Sequence, residues 1–109
     1  MGDRLETSFE VERISMSVAG LGDHETAVRL AAAARAEWAR LGVTMQIRFW
    51  DALIDRYIAP ARAALGPARA EAAASAGRGM TFEDAVREAY HAAERYETAS
   101  AGLCRGASR

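Results

Sequence analysis

The chain predicts an all-α fold of antiparallel helical hairpins, about five helices in one domain, and three observations carry that prediction. Apolar residues recur at three- and four-residue spacing along most of the 109 residues. Alanine, the strongest helix former, supplies 26 of them. Between two such runs stands Leu21-Gly22-Asp23-His24-Glu25-Thr26-Ala27, where glycine can end one helix and aspartate can cap the next.

The first helix is expected from about Glu6 to Ala19, with Val11, Ile14, Val18 and Leu21 on one stripe and Phe9 and Met16 widening it. A second spans about His24 to Leu41 and ends at Gly42. Ala27, Leu30 or Ala31, Ala34, Trp38 and Leu41 line one face, leaving Arg29, Glu37 and Arg40 toward water. The third, from about Met45 to Leu65, is the most apolar, with Ile47, Trp50, Ile54, Tyr57, Ile58, Ala61 and Leu65 in a broad face. Pro60 lacks a backbone donor and clashes with the preceding turn, so a bend or break is expected there. Gly66-Pro67 restarts the chain into a short helix, Ala68 to Ala76, that stops at Gly77. Thr81 caps a fifth helix carrying Phe82, Ala85 or Val86, Ala89, Tyr90 and Ala93, which ends near Tyr96 or Glu97. Residues 1–99 form the domain, and 100–109 read as a flexible tail.

Fifteen acids face fourteen basic residues, all arginine, for a formal charge of −1. The arginines alternate with acids instead of forming a stripe, which argues against a nucleic-acid groove. Cys104 has no partner for an intrachain disulfide, so a reducing, cytoplasmic setting is expected. No apolar run is long enough to span a membrane, and the N-terminus has no signal segment. Eight aromatic residues must carry much of the packing among so many alanines. That is a thin core, and it invites a partner surface.

Leu21 to Ala27, followed by Leu30, Ala34, Trp38, Leu41 and Gly42, resembles the hairpin of tetratricopeptide-type repeats. The stretch from Glu6 to Ala92 is similar to the C-terminal helical segment of bacterial LuxR-type or AAA-like ATPase-containing transcriptional regulators. The points of likeness are Gly22-Asp23 through Gly42, Ala63-Ala64-Leu65-Gly66, and Gly77 through Val86. The resemblance implies a scaffold or coupling part. It carries over no ATPase activity, because the chain has no Gly-Lys-Ser or Gly-Lys-Thr loop and no lysine at all, and no DNA-binding activity is expected because the 109 residues leave no room for a separate DNA-binding domain.

Candidates for chemistry are sparse. Glu88, His91 and Glu94 can share a helix face of the sort that holds a metal, but no cysteine or second histidine reinforces them, and a solvated face is the expectation. His24 stands alone beside Glu25. Glu10, Glu37, Asp51 and Asp55 offer carboxylates; Asp51 and Asp55 repel at i,i+4 unless Arg48 or Arg62 bridges them, so a surface ion-pair lattice is expected. Gly77-Arg78-Gly79 can turn backbone donors toward an anion near Thr81, although an inter-helix turn suffices. Cys104 has Arg105 beside it but no histidine base.

No catalytic residue, metal site or cofactor is therefore expected. The leading expectation is a noncatalytic interaction or scaffold module that self-associates as a homodimer through Phe49, Trp50, Leu53 and Tyr57. Phe49 and Trp50 diverge by roughly 100° on a helix, so one can meet the core and the other a partner. The alternative is a small-ligand sensor with an aromatic pocket between helices.

Overall fold

The computed structural model describes the backbone of residues 3–43 and 48–107, and side chains within 4–43 and 48–96. It is all helical over those residues: α1 (Asp3–Gly20), α2 (His24–Arg40), α3 (Arg48–Leu65), α4 (Pro67–Gly79) and α5 (Phe82–Ala107). No described helix is long and apolar enough to cross a membrane.

The ends of α1, α2 and α3 follow from three Leu-Gly pairs. Gly22, Gly42 and Gly66 adopt φ of 93°, 74° and 86°, the left-handed conformation that ends a helix without a β-carbon clash. At the first joint Gly22 N–H donates to the Ala19 carbonyl and Asp23 N–H to that of Val18. The second repeats the pattern, Gly42 to Ala39 and Val43 to Trp38. Both are Schellman caps. At the third, Pro67 has no N–H to give, and the cap reduces to one bond from Gly66 to the Arg62 carbonyl. The Asp23 carboxylate accepts from Thr26 N–H at 3.3 Å and starts α2 back along α1.

Leu21 was expected on the core stripe of α1, but as the cap residue it is carried past the last turn and is 54% exposed. Leu41 is exposed at the equivalent place. The inner face of α1 instead includes Ser8, Glu12 and Ser15 beside Val11, Ile14 and Val18. The two hydroxyls are satisfied within the helix, Ser8 donating to the Leu5 carbonyl and Ser15 to that of Glu12, each at 2.6 Å.

α2 is the central helix and packs against the other four. Its contact with α4 is a seam of small side chains: Ala70, Ala73, Ala74 and Gly77 are the buried residues of α4. Gly77 does not end the helix, as its type suggests, but lies inside it. A β-carbon there would collide with the backbone carbonyl of Arg29 and come within 3.1 Å of the Ala32 methyl. Glycine is kept for close approach.

α3 runs as one helix through Pro60, so the chain is not broken there. The hydrogen bond that Pro60 forgoes is one to Arg56, and both residues are exposed, which leaves the freed carbonyl to solvent. Residues 44–47, including the expected start at Met45 and the apolar Ile47, lie outside the described residues. α5 packs Phe82, Ala85, Ala89 and Ala92 inward. It then continues to Ala107, beyond the end expected near Tyr96 or Glu97.

Candidate interaction surface and the polar core behind it

The four residues singled out on α3 divide between two faces. Phe49 is 75% exposed and Tyr57 41%, while Trp50 and Leu53 are half-buried. Phe49, Leu53 and Tyr57 follow at four-residue steps and form one stripe along the helix. Trp50, one residue on, turns inward. Its ring centroid lies 5.4 Å from that of Phe9 in an edge-to-face contact, and Phe9 meets Trp38 in the same manner at 4.8 Å. The broad apolar face expected of α3 is thus narrower: its buried residues are Ile58 and Ala61, with Ile54 and Leu65 partly covered, and Tyr57 faces out. Tyr90 of α5 is likewise exposed, with Ala92 taking the inward place.

Behind the stripe lies a polar cluster that periodicity does not reveal. The Glu12 carboxylate is fully buried. One oxygen accepts from the Trp50 indole N–H at 2.6 Å, and the other accepts from Nε of Arg35. The same guanidinium reaches Asp51 at 2.7 Å and lies over the Trp38 ring, 4.4 Å from its centroid. One buried carboxylate thereby ties α1 to α2 and α3. Arg35, rather than Arg48 or Arg62, answers the charge of Asp51. The Trp38 indole N–H, also buried, makes no hydrogen bond among the described residues.

Glu37, expected toward water, is 1% exposed. Nε of Arg4 donates to it at 2.8 Å and Nε of Arg40 at 3.0 Å. Burial works against its charged form, but the two arginines outweigh it and hold the carboxyl below its ordinary range. Arg4 also reaches Glu83 at 3.2 Å and lies over the Phe82 ring, so the α1 N-terminus clasps α2 and the start of α5.

The remaining candidates disperse. Glu88 is taken by Arg29 through both carboxylate oxygens, which removes it from any set with His91 and Glu94. No metal-holding cluster occurs among the described residues. Glu10 pairs with Arg13 at 2.6 Å on the surface of α1. Gly77-Arg78-Gly79 belongs to the last turn of α4, so it is not the free loop an anion cradle requires. Nδ1 of His24 is buried without a partner among the described residues. The Cys104 side chain lies outside the described residues. Phe9 packs on both Trp38 and Trp50, and the cleft between α2, α3 and α4 is lined by alanine, valine, isoleucine, arginine and Glu12.

The signal for Glu12 was faint but present, and Arg35 had none. Glu12 stands four residues from both Ser8 and Met16, inside the span of the α1 apolar stripe, where a solvated glutamate is out of place. Comparison of the chain with protein-family models, with curated proteins and with solved structures yields no match.

Proposed function

We propose that the chain is a noncatalytic helical interaction module that self-associates as a homodimer through the outer face of α3. The observation that carries this reading is Phe49: a phenyl ring 75% exposed, on one stripe with Leu53 and Tyr57, next to a half-buried tryptophan whose N–H is bound to Glu12. Phe49 and Tyr57 lie equally far from Leu53 along the helix. An antiparallel two-fold contact centred on Leu53 therefore sets Phe49 of one copy against Tyr57 of the other, twice over. Ala52 beside the stripe lets the helices approach. A patch built on one helix is small by the standard of stable dimers, so the expected association is weak, with a Kd on the order of 10–100 μM.

The likeness of residues 6–92 to the tetratricopeptide-like segment of bacterial regulators supports a scaffold role in transcription-linked signalling, with a cytoplasmic location as its corollary. Sedimentation equilibrium across a concentration series tests the assembly. The wild-type mass is expected to rise toward twice the monomer, and Phe49→Glu to remain monomeric with its helicity and melting temperature retained. A constant monomeric mass for the wild type would reject the homodimer. A Phe49→Glu chain that still dimerises would remove α3 from the interface.

A further inference from the structure

We infer that the cleft between α2, α3 and α4 binds a small amphipathic carboxylate with a medium-length apolar tail. The cleft is open to solvent along one side and offers about 430 Å³, within the range of small-molecule sites. Its walls are Val28, Ala32 and Ala36 of α2, Ile54 and Ile58 of α3, and Ala74 of α4. Alanine where a bundle would ordinarily set leucine is what leaves the room. Each of the three helices contributes one arginine to the lining: Arg35, Arg62 and Arg78.

The three guanidiniums are not equally engaged. Arg35 is spent on Glu12 and Asp51, which also neutralises the one carboxylate lining the cleft. Arg78 holds Glu71 in a pair whose members are both more than half exposed, a contact worth little and readily exchanged. Arg62 has no acidic partner among the described residues. A single unengaged guanidinium matches the two oxygens of a carboxylate, whereas a phosphate dianion would ask for more compensating charge than the cleft has spare. From Ile54 to Arg62 is eight residues of helix, or roughly 12 Å, and an apolar wall of that length takes a tail of roughly eight carbons. Head at Arg62, with Arg78 to assist, and tail along Ile58 and Ile54 is the arrangement proposed. It does not depend on self-association, since the stripe of Phe49 and Tyr57 does not line the cleft.

Isothermal titration with octanoate, and with octanol as its neutral counterpart, tests the site. Octanoate is expected to bind saturably with a Kd on the order of 0.1 mM, and octanol at least about tenfold more weakly. Arg62→Gln should weaken octanoate by about tenfold or more while leaving octanol binding and the melting temperature unchanged. Arg69→Gln, on an exposed arginine outside the cleft, should change neither. Ala36→Phe should block both ligands by filling the cleft. The Phe49→Glu chain should bind octanoate like the wild type, which separates this site from the dimer contact. Absence of saturable heat with octanoate, equal affinity for octanol, or an Arg62→Gln chain that binds unchanged would each overturn the proposal.

Discussion

The indole N–H of Trp50 donates to Oε1 of Glu12 at 2.6 Å, across a gap of 38 residues in sequence. That bond turns Trp50 away from the outer face of α3, where Phe49, Leu53 and Tyr57 remain. A buried carboxylate with two donors is stable only while both stay, so its removal and that of its partners have unequal consequences.

Arg35→Met should destabilise the chain by about 2–3 kcal/mol, below the loss for a fully enclosed pair because the Arg35 side chain is 39% exposed. The double change Glu12→Leu with Arg35→Met should recover most of that loss, because no charge is then left buried alone. Urea unfolding of the single and double variants, read as a coupling energy, decides it. A loss for the double variant equal to the sum of the singles would show that the pair is not coupled.

Gly77→Ala should be far more costly than its size suggests, by about 2–3 kcal/mol, because the added carbon meets the fixed carbonyl of Arg29 and no rotamer can relieve it. Gly79→Ala is the internal control. Nothing lies within 4 Å of its β-carbon position, so that variant should be neutral or stabilising by up to about 0.5–1 kcal/mol. Thermal unfolding of the two variants side by side separates packing from helix propensity.

Stability should fall as the solution is acidified below about pH 4.5, and Glu37 should be one source of the fall. Its folded carboxyl is held below the ordinary value of 4.5. Its contribution is thus complete above that value and is lost as the pH drops through the lower, folded one. In Glu37→Gln the melting temperature should be lower at neutral pH and should change less between pH 5 and pH 3. Equal acid slopes in the two chains would contradict this.

Pro60→Ala restores a donor to a continuous helix and removes the ring from the preceding turn. The variant should gain stability, by about 1–3 kcal/mol, at an exposed site with nothing else to disturb. Chemical denaturation checks the sign, and a loss would mean that the proline conformation is itself used in packing.

The helical class and the three Leu-Gly helix ends were legible in the sequence because they rest on local chemistry, whereas the stop expected at Gly77 was not the end of α4. Leu21-Gly22-Asp23, Leu41-Gly42 and Leu65-Gly66-Pro67 each carry their own stop, and Thr81 caps α5 by accepting from Asp84 N–H at 3.1 Å. The inward faces were harder to read. On helices dominated by alanine the contrast between faces is low, so Glu37 looked like a surface residue between Ala34 and Trp38. Periodicity also scores serine and glutamate as polar. It cannot know that Ser8 and Ser15 satisfy themselves on their own helix, or that two elements bring Arg35 and Trp50 to Glu12. Of the α3 residues, the divergence of Phe49 and Trp50 was readable from their adjacency. Which of them turned inward depended on Glu12, and that was not.

A seam of leucines sets the distance between two helices by side-chain volume, and a larger or smaller side chain is absorbed by a change of rotamer. The seam of Ala70, Ala73, Ala74 and Gly77 has no such slack. Here backbone nearly meets backbone, and the separation of α2 from α4 is a hard stop instead of an average. Mutational drift along this seam is one-directional: residues can scarcely shrink, and any growth must lever the helices apart. Ala74 belongs both to that seam and to the wall of the adjacent cleft. The cleft's aperture is therefore gauged by the peptide chain itself, which makes it a rigid slot at one wall and an adjustable one at α3.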